Sequence, residues 1–307
     1  MSSEPSDATT APGGGRLSQL LSNQLIARLE RLRVQSLRKV ANRGRGEQLA
    51  GRGGSSIDFA DYRDYTPGDD LRFVDWNIFS RLERPYLKLF RREEERHLVI
   101  LIDISRSMSF DDKLLRAREL AAGFSVVGLH AHDLVSVWAV DGAHARRFGP
   151  AHGRGSMRRA LLAIEGIQEA ASTQPIEQSI QAMLAHHRGR GIAVLLSDFL
   201  TEGDLRKSLN LLTASGLEPA LIQILGASEV DPDLNGDVRL VDCESAGVLD
   251  VSAAGDLLSL YHQYRLAYQK QLSEWCSVRQ GRFLSISSAD QAEVLLGDVL
   301  RRRGWLA

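Results

Sequence analysis

The segment His97–Phe110, HLVILIDISRSMSF, constrains the fold of this chain more than any other. Leu98–Ile102 is a near-continuous apolar run, which is typical of a strand buried on both faces of a parallel sheet. Asp103, Ser105 and Ser107 follow it at alternate positions. Because open α/β sheets bind ligands at the carboxyl ends of their strands, these three side chains are candidates for a functional site.

One carboxylate and two hydroxyls make a set of hard oxygen ligands, the kind that Mg²⁺ or Mn²⁺ prefers. A divalent ion with six ligands needs more donors, and two later positions supply them. Thr173 precedes a predicted helix in AASTQPIEQSI, and Asp198 ends the predicted strand IAVLLSD. If both loops lie beside the first, the oxygens of Asp103, Ser105, Ser107, Thr173 and Asp198 converge. The competing interpretation is that Asp103 only caps a helix or braces a loop.

Beyond residue 97 predicted strands alternate with predicted helices, which indicates an α/β fold with a mainly parallel central sheet flanked by helices. The predicted strands are Leu98–Asp103, Leu134–Val140, Ala143–Phe148, Ile192–Ser197, Ala220–Leu225 and Phe283–Ile286, with weaker ones at Arg239–Cys243 and Val248–Val251. The predicted helices cover Lys113–His130, Ser156–Gln168, Ile176–His187, Asp204–Ser215, Ala254–Gln280 and Ala289–Arg302. Ala143–Phe148 follows a hairpin turn signal and is expected at a sheet edge.

The chain is predicted to have three regions. Residues 1–15, rich in Ser, Pro, Gly and Thr, are expected to be a disordered tail. Residues 16–96 hold an amphipathic helix from Arg16 to about Arg43 and then short strands and loops, including a strand at Tyr86–Arg92. Residues 97–307 form the sheet domain. The helix is expected to dock on its own domain, with binding to a partner as the alternative.

Composition excludes several classes of protein. The net charge of −1 gives no global attraction to nucleic acid or to an anionic membrane. No apolar stretch approaches the roughly 20 residues of a membrane helix, and the first residues lack the pattern of a signal peptide. Cys243 and Cys276 fit no metal or redox spacing. We therefore expect a cytoplasmic protein with no nucleic-acid partner and no direct insertion into a membrane.

A second motif lies in FADYRDYTPGDDLRFVDWNIFSRLERP, where Thr66–Asp69 is a strong turn signal. The favoured interpretation is structural: the turn is held by pairs of aspartate and arginine, and Trp76 packs beneath it. The alternative is a recognition surface. Its charged residues would be Arg63, Asp69, Asp70, Arg72 and Asp75.

These motifs carry two resemblances. The D-I-S-R-S string after an apolar strand, with Thr173 and Asp198 downstream, resembles the metal-ion-dependent adhesion site of von Willebrand factor type A domains. The string Y-x-P-G-D-D-x-R-x-x-D-W at residues 65–76 resembles the signature of the bacterial DUF58 family. Further matches to that signature are Gly44, Gly46, Phe59, Arg63, Asp64, Ser80 and Arg81.

The resemblance implies a metal-dependent binding or adaptor module that works with a MoxR-type AAA+ ATPase. It implies that Ser105, Ser107 and Thr173 bind the ion directly, and that Asp103 and Asp198 bind it partly through water. An acidic residue of the bound protein would take the sixth position. Ser172 is an alternative to Thr173, because the loop reads A-S-T-Q rather than G-G-T-x. Mg²⁺ is the expected ion, with Mn²⁺ or Ca²⁺ as alternatives.

Three hypotheses about function follow. The first is the adaptor module, which is not an enzyme. The second is an Mg²⁺-dependent phosphohydrolase, since a strand ending in Asp suits aspartyl-phosphate chemistry. Against it, Ser105 stands where such enzymes need a second aspartate, and Lys113 is only a weak candidate for a supporting lysine. The third hypothesis is a scaffold in which Asp103 binds nothing.

Overall fold

A computed structural model describes residues 17–37, 57–92, 95–141, 145–170, 176–200, 203–232, 238–241, 248–251 and 254–307. These residues divide into two compact units. The larger unit lies within Met1–Arg38 and Arg96–Ala307, and the smaller within Lys39–Glu95. The predicted tail at residues 1–15 and the loop that contains Gly44 and Gly46 lie outside the described residues.

The strands and helices are as follows. The strands are β1 (Ile57–Asp64), β2 (Tyr86–Arg92), β3 (His97–Asp103), β4 (Leu134–Val140), β5 (Ala145–Ala151), β6 (Gly191–Ser197), β7 (Leu217–Leu225), β8 (Val238–Val241), β9 (Val248–Val251) and β10 (Arg282–Ser287). The helices are α1 (Asn23–Leu29), α2 (Trp76–Leu82), α3 (Lys113–His130), α4 (Met157–Glu165), α5 (Ile176–His186), α6 (Leu205–Ala214), α7 (Ala227–Val230), α8 (Ala254–Val278), α9 (Ala292–Val294) and α10 (Leu300–Arg302), with a π-helical segment at Leu295–Val299. None of the helices in the described part of the chain is long and apolar enough to cross a bilayer.

Six strands form the central sheet, in the order β10-β7-β6-β3-β4-β5. Neighbouring strands are parallel except for β4 and β5, which are antiparallel. This arrangement confirms the predicted α/β fold with a mainly parallel sheet. Strand β5 lies at one end of the order and carries the exposed residues Arg146, Arg147 and Pro150. Strands β8 and β9 pair only with each other, outside the central sheet.

The continuous apolar run of β3 follows from its central position. Successive strand residues point to opposite faces of a sheet, and both faces here are covered by helices. Ile100 and Ile102 belong to the core that includes Phe124 of α3, whereas Val99 and Leu101 belong to the core on the other face. All four residues are fully buried. The strand therefore ends at the carboxyl edge of the sheet with its position set from both sides.

The amino-terminal helix docks on the larger unit, as expected, but it is shorter than predicted. Helix α1 covers Asn23–Leu29 rather than Arg16 to Arg43. Leu25, Ile26 and Leu29 are buried in the same core as α3. The docking interpretation is confirmed, and the predicted length is wrong for the described residues.

Backbone pairing explains why this helix ends early. The Arg33 N–H donates to the carbonyl of Ala307, and the Gln35 N–H donates to the carbonyl of Trp305, over 2.7 and 2.8 Å. The Ala307 N–H donates back to the Arg33 carbonyl over 3.0 Å. Because a short helix is only marginally stable alone, pairing with the carboxyl-terminal residues outweighs the helical periodicity there.

The smaller unit contains a two-stranded antiparallel sheet of β1 and β2. The predicted strand at Tyr86–Arg92 is thus confirmed, and it belongs to this separate sheet rather than to the central one. Helix α2 lies between the two strands in sequence, and Asp75 begins it by accepting hydrogen bonds from the N–H groups of Asn77 and Ile78.

Candidate functional site

The loop after β3 brings the residues of the D-x-S-x-S motif together. The Ser105 backbone N–H donates to Asp103 Oδ1 over 2.9 Å, and the hydroxyls of Ser105 and Ser107 lie 3.2 Å apart. A 3₁₀ turn begins at Arg106, within the motif, and turns the backbone at once; the chain is kinked at Phe110 and Asp111 before α3 begins. One carboxylate and two hydroxyls therefore share a single loop at the carboxyl edge of the sheet.

The neighbouring strand β6 contributes to the same edge. Ser197, its last residue, donates its hydroxyl to Asp103 Oδ2 over 2.5 Å. Asp198 follows directly and is almost fully buried, with 1% of its surface exposed. The structure thus brings Asp103, Ser105 and Ser107 together and places Asp198 at the end of the adjacent strand. Thr173 and its alternative Ser172 lie outside the described residues.

Burial disfavours the charged form of Asp103, and the hydrogen bonds that its carboxylate accepts offset only part of that effect. Burial, with a smaller effect from the charge of Asp198, raises the pKa of Asp103 to about 6 from an ordinary value of 3.8. The hydrogen bonds from Ser197 and Ser105 offset part of that rise. Two carboxylates at one buried edge repel each other, so a positive charge beside them is stabilising.

This shift predicts how stability depends on pH without metal. Between pH 3.8 and about 6 the folded state holds a proton on Asp103 that the unfolded state has lost. The free energy of unfolding should therefore fall as pH rises through this range, by about 3 kcal/mol at about 1.4 kcal/mol per pKa unit. Urea denaturation of chelator-treated protein from pH 4 to 7 measures the change. The difference between wild type and Asp103→Asn isolates this carboxyl, and a difference that stays level across the range would contradict the prediction.

Lys113 is a member of the site that sequence reasoning undervalued. Its side chain is 1% exposed, and its Nζ lies 2.8 Å from Asp198 Oδ2 and 2.7 Å from Glu229 Oε1. Burial lowers the pKa of Lys113, but the two carboxylates outweigh that effect and the net shift is upward. The sequence indicated Lys113 only as a weak candidate for the supporting lysine of a phosphohydrolase, and its direct contact with Asp198 was not anticipated. One signal was available: a lysine that begins a helix opposes the helix dipole and needs another partner.

Helix α7 forms the far side of this ion-pair cluster. The Gly226 N–H donates to Glu229 Oε2 over 2.6 Å, and the Ser228 N–H donates to Asp111 Oδ2 over 2.9 Å. A Cβ at Gly226 would come within 2.6 Å of Asp111 Oδ2, so a larger residue here would displace the Asp111 side chain. The Tyr261 hydroxyl of α8 donates to the Glu229 carbonyl over 2.5 Å. The turn after D-x-S-x-S, α7 and α8 are therefore connected beside the site.

The described residues contain no group of three or more histidine, cysteine, aspartate or glutamate side chains placed to hold a metal ion. A metal site at this edge would depend on the hydroxyls of Ser105 and Ser107 as well as on carboxylates. Such a donor set consists entirely of hard oxygens, which suits Mg²⁺, Mn²⁺ or Ca²⁺ and disfavours soft metals.

The turn in the smaller unit is held as predicted. The Asp69 N–H donates to the Thr66 carbonyl over 3.1 Å, and Gly68 has the positive φ of 108° that glycine tolerates. Arg63 pairs with Asp69 over 2.6 Å. Hydrogen bonds from Arg63 and Thr66 hold the pKa of Asp69 down at about 2. Arg72 pairs with Asp70 over 2.6 Å. The charged pairs form as the structural interpretation predicts, and a recognition surface at these residues stays the alternative.

The expectation for Trp76 is wrong. Trp76 does not pack beneath the turn: 59% of its surface is exposed. Val74 and Leu87 are buried instead and form a backbone bridge, so they occupy the interior position. The reason is that Asp75 begins α2 at this point, and the helix turns the Trp76 side chain outward beside Phe79, at 5.9 Å between ring centroids.

The exposure of Trp76 gives a prediction about stability. We expect Trp76→Ala to change the free energy of unfolding by less than about 1 kcal/mol, because little buried surface is lost. Leu87→Ala, at a buried position of the same unit, should cost about 2–5 kcal/mol. Chemical denaturation of both variants provides the comparison. If Trp76→Ala proved as costly as Leu87→Ala, Trp76 would have to be packed rather than exposed.

Fold and site define an α/β protein with a cluster of carboxylates and hydroxyls at the carboxyl edge of a mainly parallel sheet. The family model described as "Protein of unknown function DUF58" matches residues 61–273, more than half of the chain. The chain therefore belongs to the DUF58 family, as the sequence motif predicted. It is similar to the uncharacterized proteins Rv1480 of Mycobacterium tuberculosis and Mb1516 of Mycobacterium bovis. Each is 26% identical in an alignment of 293 positions that covers 92% of this chain and 92% of the relative.

Two solved structures are similar over most of their own length. One is the conserved hypothetical protein BatB from Bacteroides thetaiotaomicron, with a TM-score of 0.43 and 13% identity over 68% of this chain and 99% of that chain. The other is an aerotolerance-related membrane protein from Bacteroides fragilis, with a TM-score of 0.43 and 13% identity over 67% of this chain and 97% of that chain. Family membership thus rests on the match to the family model rather than on these structures.

Proposed function

We propose that this protein is a non-catalytic, metal-dependent adaptor that binds a partner protein through a divalent ion at the carboxyl edge of its sheet. The observation that carries the proposal is the clustering of Asp103, Ser105 and Ser107 on one loop, with Asp198 ending the adjacent strand. Thr173 or Ser172 is proposed as the remaining ligand of the chain, by the resemblance to von Willebrand factor type A domains.

The donor set fits a hard divalent cation. Ser105 and Ser107 present two hydroxyl oxygens 3.2 Å apart, and Asp103 is a buried carboxylate whose pKa is raised by burial and by the charge of Asp198. Asp198 already accepts hydrogen bonds from Lys113 and from the Leu200 N–H, so its share in binding the ion is proposed to pass through water. When bound, the ion would supply a positive centre that attracts an acidic side chain of the partner.

The burial of Lys113 and its pairing with two carboxylates favour a binding function over hydrolysis. The phosphohydrolase alternative needs a cationic group that can reach a substrate phosphate. Lys113 Nζ contacts the site residue Asp198, but it is buried and held by Asp198 and Glu229. We propose that the ammonium stabilises the protein rather than a substrate. A phosphatase assay with p-nitrophenyl phosphate and Mg²⁺ tests this, and turnover that Asp103→Asn abolishes would support the enzyme instead.

The metal site is tested by isothermal titration of chelator-treated protein with Mg²⁺ and Mn²⁺. We expect saturable binding at one site in wild type and its loss in the double variant Ser105→Ala, Ser107→Ala. The matched control is Ser109→Ala, whose hydroxyl on the same turn donates to the Arg106 carbonyl, and which should bind the ion as wild type does. Loss of binding in the control as well would point to a disordered loop rather than to lost ligands.

The proposed partner is a MoxR-type AAA+ ATPase, as the family resemblance implies. Titration should be repeated with the purified ATPase of the same organism, because its acidic residue would complete the ion's coordination. Metal-dependent association that chelator reverses would support the adaptor role. Absence of ion binding both with and without the ATPase would contradict the proposal.

A further inference from the structure

Lys113 is the most unusual charged residue of the larger unit, because an ammonium group is rarely buried completely. Its side chain is 1% exposed, and it contacts two carboxylates at 2.8 and 2.7 Å, those of Asp198 and Glu229. A buried charge is costly unless it is paired, and here both partners are present. The ammonium is thus held at the edge of the sheet, in contact with a residue that the proposed function assigns to the ion.

The charges around this ammonium do not balance. Asp103, Asp198 and Glu229 are three carboxylates, and Lys113 supplies one positive charge among them. Asp111, whose charge also interacts with Lys113, adds to this excess of negative charge. Lys113 and the ion would both draw on Asp198 and would repel each other.

The two carboxylates that pair with Lys113 differ in their exposure to solvent. Asp198 is buried, and its side chain also accepts from the Leu200 N–H over 3.1 Å. Glu229 is 27% exposed and is held on the other side by the Gly226 N–H over 2.6 Å. Because Lys113 already contacts Glu229, the ammonium keeps one carboxylate partner if it leaves Asp198.

We propose that Lys113 is the resident cation of this site: it positions Asp198 when the ion is absent and turns toward Glu229 when the ion is present. This inference rests on the proposed metal site. Lys113 and Glu229 act as positioning residues that set the affinity for the ion. Glu229 belongs to α7. Binding of the ion would therefore also affect that helix and the hydrogen bond from the Tyr261 hydroxyl to the Glu229 carbonyl.

The proposal makes predictions of opposite sign for two variants. Lys113→Met keeps a straight side chain but removes the competing charge, so Mn²⁺ should bind at least about tenfold more tightly. Glu229→Gln leaves the ammonium wholly to Asp198, so Mn²⁺ should bind at least about fivefold more weakly. Asp112→Asn is the matched control, because it removes an exposed carboxylate next to Lys113 whose side chain makes no capping hydrogen bond to the helix; its affinity should stay within about twofold of wild type.

Titration calorimetry with Mn²⁺, together with thermal unfolding in chelator, tests the proposal. Tighter binding by Lys113→Met, combined with a lower melting temperature in chelator, supports it, because a purely structural lysine would lower both. Weaker binding by a folded Lys113→Met overturns it. If Lys113→Met does not fold, the Glu229→Gln variant tests the proposal in its place. A Mn²⁺ affinity of Glu229→Gln equal to that of Asp112→Asn overturns the proposal.

The same experiment separates this inference from the proposed function. Binding by wild type with unchanged affinities in the variants overturns the role of Lys113 alone. Binding by Lys113→Met where wild type shows none supports the role of Lys113 as a competing cation. No binding by any variant, with or without the ATPase, overturns both.

Discussion

Replacing Asp198 by Asn should lower the free energy of unfolding by about 3 kcal/mol at pH 7 in chelator. The variant removes one of the two charges that compensate the buried Lys113 ammonium and leaves it with the part-exposed Glu229. Breaking a buried ion pair typically costs 3–5 kcal/mol. We expect the lower end, because the loss of repulsion between Asp198 and Asp103 offsets part of the cost.

Urea denaturation of Asp198→Asn, Lys113→Met and the double variant measures the coupling between the two side chains. The double variant should be more stable than the sum of the two single losses predicts, since it no longer buries an unpaired charge. Additive losses would show that the contact of 2.8 Å contributes nothing to stability.

Replacing Asp103 by Ala should abolish binding of the divalent ion and of the partner while the chain stays folded. We expect the affinity for Mn²⁺ to fall at least about 100-fold, beyond the 10–100-fold that loss of an outer hydrogen-bond partner costs. The fold should survive, because the variant removes a carboxylate whose burial is unfavourable even as the bonds from Ser105 and Ser197 are lost.

Asp133→Asn is the control for this variant. Asp133 is as buried as Asp103, but it precedes β4 at the opposite edge of the sheet, where it pairs with Arg96 over 2.6 Å. It should bind Mn²⁺ as wild type does. Calorimetry and circular dichroism report affinity and folding separately. A folded Asp103→Ala variant that still binds the ion would remove Asp103 from the site, and an unfolded one would make it a structural residue.

The fold was predictable because its signal is local. Each strand of the parallel sheet is an apolar run buried on both faces, so β3 and β6 were recognisable from a few residues. The helix at residues 16–43 was mispredicted for a reason that is not local. Its periodicity continues past Leu29, but the backbone of Arg33 pairs with Ala307, which lies at the other end of the chain.

The residues of the candidate site also divide into those with a local sequence signal and those without one. Asp103, Ser105 and Ser107 are adjacent in sequence, and the position of Asp198 follows from the order of parallel strands. The pairing of Lys113 with Asp198 and Glu229 joins residues 85 and 116 positions apart, and no short pattern encodes it. Trp76 shows a related limit. Its apolar side chain suggests burial, but it is the first residue of α2, and the start of that helix at the Asp75 cap sets the direction of the side chain.

The outer strand β5 determines how this protein can join others. An exposed edge strand ordinarily invites another chain to extend the sheet by hydrogen bonding. Pro150 has no amide hydrogen to offer, and Arg146 and Arg147 add exposed positive charge to this strand. Growth of the sheet past β5 is therefore disfavoured. We expect a partner that reaches β5 to bind its side chains rather than to add a strand.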